Sequence, residues 1–308
     1  MVMESRGTWA TFTLRCAPPA PPPWSLGERR GASSTRVLLT FALTLAPVER
    51  KGSAARGTIQ PVLFDEPEAP PWMLHLSRDA RGFLVPAEAP WNADGSAALA
   101  EMDVDRALIL GFHRACAVCG YSLNRERPVF RAFSQGDAAR IRLEQSDMAP
   151  EFSGPVHRSC ILFSMIVCPY MREPTARLGK QSKIKPGGRR GTRAAVMGFD
   201  DYVVMMADAA TDEPPIQFGF VKLVEDRPYK HGIELLPDLD LAVQDDSKRI
   251  DVANTRPLYW PGGGRPESAI RGEARRLAQR VRPIDTPFAG ATIDGVDYNC
   301  YELPQRYL

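Results

Sequence analysis

The chain has 308 residues, 44% hydrophobic and 25% charged, a globular balance long enough for one large domain or two smaller ones. A net charge of +2 excludes a global field that selects nucleic acid or acidic membranes, so such contacts must come from a local patch. Six cysteines in a chain this long are too sparse for a secreted disulfide scaffold, and reduced thiols in a cytoplasmic setting fit better.

Residues 1–71 read as a disordered, Pro/Arg-rich extension and linker. The stretch Ala17-Pro-Pro-Ala-Pro-Pro-Pro23 cannot form a helix or a sheet interior, because proline lacks the amide donor. Eight basic residues face three acidic ones before residue 65, which reads as a solvated leader or as a basic tail that touches polyanions. The longest apolar run, Val37 to Pro47, is about half the roughly 20 residues that span a bilayer, so no membrane association is expected.

From Trp72 the composition becomes that of a folded module, expected over residues 72–171. Arg106 to Phe112 reads as a buried strand. Cys116-Ala-Val-Cys119-Gly120 follows, then Pro128 to Ser134, which alternates like a half-buried strand. Pro155 to Cys168 has helical spacing with a largely apolar surface, Pro155 suiting a first turn and Pro169 ending the segment.

Cys116, Cys119, His157 and Cys160 carry the chemistry. A Cys-x-x-Cys turn offers two thiolates to one metal, and Gly120 supplies the positive φ such a knuckle needs. His157 and Cys160 lie about one helical turn apart at a helix start, where the dipole favours thiolate. Knuckle, hairpin, then helix with two ligands is the order of a treble clef, and the expected cofactor is one structural Zn²⁺. Cys168 is excluded as a fifth ligand, since eight residues of helix separate it from Cys160 by roughly 12 Å. The competing reading of Cys116 and Cys119 is a redox dithiol, but that motif normally opens a helix, and Tyr121-Ser-Leu-Asn-Arg does not. A zinc nuclease of the His-Asn-His type needs a general-base histidine between the ligand pairs, and none occurs from Gly120 to Val156.

Residues 172–195 read as a flexible basic loop. Arg177, Lys180, Lys183, Lys185, Arg189, Arg190 and Arg193 fall in it without an acidic residue among them, the best footprint in the chain for a phosphate backbone. Residues 196–285 are expected to form a small antiparallel sheet plus a helix. Tyr202 to Ala207 and Ile216 to Val224 are strand-like, and Glu234 to Val243 reads as a further strand demoted by Pro237. Pro266 to Val281 carries an apolar stripe of Ile270, Ala274, Leu277, Ala278 and Val281, the clearest amphipathic helix in the chain. Asp238, Asp240, Asp245, Asp246 and Asp251 read as surface, and residues 286–308 as a tail.

Several of these segments occur together in a recognisable order. They are Arg78-Asp-Ala-Arg-Gly-Phe-Leu-Val-Pro86, Cys116-Ala-Val-Cys-Gly120, Gly154-Pro-Val-His-Arg-Ser-Cys160, Val167-Cys-Pro-Tyr-Met171, and Trp260 with Gly264-Arg-Pro-Glu-Ser-Ala269. This resembles a group of proteins from actinobacteria, some other bacteria and phages that share an RDxRGxPVP start, a CxxCG knuckle and an HRxC…CP helix. The resemblance covers roughly residues 72–285. It implies Cys116, Cys119, His157 and Cys160 as metal ligands and implies no activity. The chain departs from the pattern at Leu84, where proline is usual, and at Ala87-Glu-Ala-Pro90, which replaces an aromatic-rich stretch.

The resulting expectation is an α+β protein with a treble-clef-like zinc module, a small antiparallel sheet and a C-terminal amphipathic helix. Its expected role is that of a non-enzymatic binding or adaptor protein with a protein partner. The alternatives are a nucleic-acid-binding protein that uses the 177–193 loop and a metal-dependent hydrolase or nuclease.

Overall fold

The computed structural model describes residues 66–92, 94–144, 148–178, 187–207, 216–262, 267–286, 289–293 and 295–304. The Pro/Arg-rich leader and the Val37–Pro47 run lie outside them.

The first motif, Arg78 to Pro86, is a tight turn. The Asp79 carboxylate accepts from the Arg81 and Phe83 amides (2.9 and 3.2 Å) and from Arg81 Nε (2.8 Å), and Gly82 takes φ +88°. Arg81 reaches on to the Ala97 carbonyl at 2.6 Å, so this Asp-x-Arg-Gly pattern is a structural clip.

Arg106 to Phe112 is helical, which corrects the expected strand: α1 spans Val104–Phe112. Asp103 caps it by accepting from the Arg106 amide at 2.9 Å. Every residue from Arg106 to Phe112 is buried, and a short apolar run of this length can be read as a buried strand or as a buried helix segment. Buried Arg106 donates to the Ala89 and Trp260 carbonyls (3.1 and 3.2 Å) and pairs with Glu267 at 2.6 Å.

β1 (Val129–Phe133) forms as read. The charged stretch after it is not one arm of a hairpin but a helix, α2 (Gln135–Glu144), followed by β2 (Met148–Glu151). β1 and β2 pair with different strands rather than with each other, so the hairpin between the ligand pairs, and with it the full treble-clef order, is not reproduced. α3 (Arg158–Val167) begins directly after His157 and carries Cys160, and Pro169 opens the short α4 (Pro169–Arg172).

The sheet is built on two long antiparallel strands, β3 (Ala194–Ala207) and β4 (Ile216–Tyr229), paired from Ala194 opposite Tyr229 to Met206 opposite Ile216 with a one-residue register shift between Gly198 and Phe199. β1 lies beside the first half of β3, and β2 beside β4. Gly111 brings α1 hard against this sheet, where a Cβ would lie 2.6 Å from the Phe218 ring.

Glu234 to Val243 is helical, not a strand: a 3-10 turn at Gly232–Leu235 leads into α5 (Leu236–Asp246). Pro237 sits in the first turn, where its missing amide costs nothing. Leu235, Leu239, Ala242 and Asp246 face inward at spacings of four, three and four. The expected amphipathic helix forms as α6 (Glu267–Ala278), packed on α1 through Ile270, Ala274, Leu277 and Ala278.

The expected C-terminal tail belongs to the sheet. After β5 (Arg282–Pro283), a tight hairpin of β6 (Ala291–Ile293) and β7 (Val296–Glu302) returns, and β7 pairs with β3 from Val204 opposite Tyr301 to Ala207 opposite Tyr298. One contiguous core runs from Trp72 to Leu303, so the cysteine-bearing module and the sheet share it. Among the described residues no helix is long and apolar enough to cross a membrane.

Candidate metal centre

The knuckle is a closed backbone turn. The Cys116 amide donates to the Tyr121 carbonyl and the Gly120 amide to the Cys116 carbonyl, both at 2.8 Å, while Ala115 and Ser122 bridge at its base. The Cys119 amide points at Cys116 Sγ from 3.5 Å, a weak contact that favours negative charge on that sulfur. Neighbouring loop segments hold the turn from outside: Ala87 and Glu88 amides donate to Val118 and Ala117 carbonyls (2.9 and 3.0 Å), and the Ala117 amide donates to the Pro155 carbonyl (2.9 Å).

Gly120 does more than supply its φ of +74°. The Leu258 amide donates to its carbonyl at 2.9 Å, and a Cβ at Gly120 would lie 2.2 Å from the Leu258 oxygen. The segment before α6 is thus clasped onto the knuckle.

His157 is the N-cap residue of α3 and Cys160 lies in its first turn, so one helix start presents both. Asp246 locks that start, because its carboxylate accepts from the Ser159 amide (3.0 Å) and hydroxyl (2.5 Å), between the two ligands. Asp246 is buried, which corrects its assignment to the surface.

The four side chains converge. Cys116 Sγ, Cys119 Sγ, His157 Nδ1 and Cys160 Sγ are buried and lie within 4.8 Å of one another. His157 Nδ1 is 3.4 Å from Cys119 Sγ and 3.9 Å from Cys160 Sγ. A tetrahedral ion with ligand bonds of about 2.0–2.3 Å has edges of about 3.5–3.8 Å, so the cluster fits one metal ion. The other ring nitrogen, Nε2, lies 3.1 Å from the Ser122 carbonyl. Donating there fixes the tautomer that frees Nδ1 for the metal.

The four groups share protons. Burial opposes ionisation of Cys116, but hydrogen bonds from the Cys119 and Cys160 thiols, with His157 beside it, hold it well below the usual thiol range. Burial, with the Cys116 charge, pushes Cys119 up to about 11 and Cys160 well above its ordinary value. Burial alone would lower His157, yet the Cys119 and Cys116 sulfurs raise it well above its ordinary value. A thiolate–imidazolium pair with two further thiols is the protonated counterpart of a metal site, and a cation replaces those protons.

No family model, curated protein or solved structure matches the chain. The assignment of the centre therefore stands on this geometry.

Cys168 is partly exposed and outside the cluster, as the helical spacing requires. Cys300 is buried on β7. Of the basic loop, Lys180, Lys183 and Lys185 lie outside the described residues. Arg177, Arg189 and Arg193 are exposed. Arg190 is not: it is fully buried, 4.7 Å over the Tyr229 ring, and donates to the Gly191 carbonyl at 3.1 Å. Arg190 is therefore a packing residue, which corrects its place among phosphate-contacting residues. The sequence reading also passed over Asp246 and Leu258, whose roles depend on neighbours about ninety and more than a hundred residues away, with no local signal to mark them.

Proposed function

We propose that the centre is a structural zinc site and that the chain is a non-enzymatic binding protein whose fold the metal staples. The observation that carries this reading is a buried, four-membered ligand set of three thiols and one imidazole. Thiolate and imidazole select zinc over the hard cations that prefer oxygen. Four protein ligands fill a tetrahedron and leave no position for water or substrate, which a catalytic zinc keeps open. The set joins the knuckle, the start of α3 and, through Gly120 and Asp246, the 258 segment and α5. Cysteine thiolates of this kind persist in a reducing compartment, which favours the cytoplasm. Elemental analysis of the purified protein tests the site: about one zinc per chain is expected, and a folded protein with far less contradicts it.

A second reading, polyanion binding by the basic loop, is favoured by one observation. Arg177 and Arg189 bridge directly across from each other, and both are exposed. Like charges opposed in this way destabilise a pairing unless an anion lies between them. Salt-dependent retention on a polyanion column, lost on Arg189→Gln with Arg193→Gln, supports this reading, and elution at low salt contradicts it.

A further inference from the structure

A cleft of about 350 Å³ borders the knuckle, yet none of the four metal ligands lines it. Its walls include His113, Arg114, Arg125 and Arg256, with Ser122 and Leu258, and no acidic side chain lines it. Three separate parts of the chain meet there. His113 and Arg114 leave the end of α1, Arg125 follows the knuckle, and Arg256 arrives on the segment that Leu258 clasps to Gly120.

Arg114 is held in an uncommon state. Its φ is +50°, one of two positive values at non-glycine positions among the described residues. The turn is fixed by its amide donating to Gly111 (3.1 Å) and its carbonyl accepting from Leu123 (2.7 Å). Its guanidinium lies 4.8 Å over the Tyr202 ring and 2.8 Å from Asp201 Oδ1, but off the line for a hydrogen bond. Nε and Nη2 are consequently buried without a hydrogen-bond partner. Arg125 and Arg256 are exposed and have no ion pair among the described residues. Arg114 and Arg125 both act on the Tyr202 hydroxyl, which places the two cations in one field. The nearby acids are Asp201, in contact with Arg114, and Glu273, which acts on His113.

We propose that this cleft binds a small phosphate monoester, its phosphate held by Arg114, Arg125 and Arg256. Three arginines line one cleft that no acidic side chain lines, and the one carboxylate in contact with them, Asp201, pairs with Arg114, which leaves an excess of positive charge and of planar donors, chiefly on Arg125 and Arg256. A phosphate dianion with three terminal oxygens matches that excess better than a singly charged carboxylate does. The volume is at the small end of the range for organic ligands, enough for the phosphate and a compact organic part against Leu258. This inference deepens the binding-protein reading and rests on it, but it places the ligand outside the metal centre.

The test is calorimetric titration of the full, metal-loaded chain with inorganic phosphate, with adenosine monophosphate as a probe monoester, and with acetate. Saturable binding of the monoester or of phosphate, with acetate much weaker, is expected. Arg125→Gln and Arg256→Gln should each weaken it about tenfold or more, with metal content and melting temperature unchanged, because both side chains are exposed. Phosphate binding as tight as the monoester identifies the free ion as the ligand, within the same chemistry. Absence of saturable phosphate or monoester binding, or equal affinity in both variants, overturns the proposal. So does binding of heparin that phosphate does not displace, which marks a polyanion surface instead. The two readings fail separately: a metal-free preparation that binds phosphate contradicts only the zinc assignment, and a fully loaded one that does not bind contradicts only the cleft.

Discussion

Replacing Gly120 with alanine perturbs the backbone and the packing around the knuckle together. At φ +74° an alanine sits in the left-handed region, at about 1–2 kcal/mol. Its Cβ would lie 2.2 Å from the Leu258 oxygen and 2.8 Å from the Leu258 carbonyl carbon, both backbone atoms that no rotamer change can move aside. The 258 segment must shift, and the Leu258–Gly120 hydrogen bond, worth about 0.5–1.5 kcal/mol, is lost. Together the loss is about 2–4 kcal/mol, roughly 5–15 °C in melting temperature for a domain of this size. Gly136→Ala provides the contrast: Gly136 lies in α2 with nothing near its would-be Cβ, so alanine there stabilises by about 0.5–1 kcal/mol. Thermal denaturation of both variants, followed by circular dichroism with metal content measured in parallel, checks the pair. A Gly120→Ala protein that melts within about 2 °C of the parent would refute the clasp between the knuckle and the 258 segment.

Asp246→Ala removes the carboxylate that takes both the amide and the hydroxyl of Ser159, so it should cost about 2–4 kcal/mol and weaken metal affinity roughly tenfold; competition with a metallochromic chelator measures the second effect. Cys168→Ser should leave the metal stoichiometry unchanged, and a loss of metal in that variant would return Cys168 to the ligand set. Metal binding near pH 7 should release about three protons, because Cys119, Cys160 and His157 are held toward their protonated forms while Cys116 is held well below the usual thiol range. The metal-bound form carries fewer protons, so affinity falls as pH falls. Titration calorimetry in buffers of different ionisation enthalpy counts those protons, and release of fewer than one contradicts the shared-proton description.

The Cys/His cluster was legible because the spacing of its members is a local property. A knuckle fixes Cys116 and Cys119 within one turn, and three residues on a helix fix His157 and Cys160. The two long central strands and α6 were legible for the same reason, since each carries its own pattern. α1 was misread because Ala107 to Phe112 is a short, nearly continuous apolar run, a pattern that a buried strand shares. α5 was misread because Pro237 looked like a strand defect when it occupies a first helical turn. The missing hairpin and the C-terminal strands share another cause: β1, β2 and β7 find their partners in β3 and β4, and no local pattern names a partner that far along the chain. The alternation of Val296, Tyr298 and Cys300 after Asp294-Gly295 was a strand signal that the reading of residues 286–308 as a tail missed. Arg190 shows the converse error, a charge run read as surface although one of its members packs on Tyr229.

Stripping the metal from the purified protein with a strong chelator, then measuring cooperative unfolding with and without one equivalent of added zinc, tests the central claim most directly. A structural zinc contributes on the order of 10 kcal/mol, as much as the whole net stability of a typical domain at about 5–15 kcal/mol. The account therefore predicts that the stripped protein loses its cooperative transition and that one equivalent of zinc restores it. An unchanged melting transition in protein shown to be metal-free would contradict it.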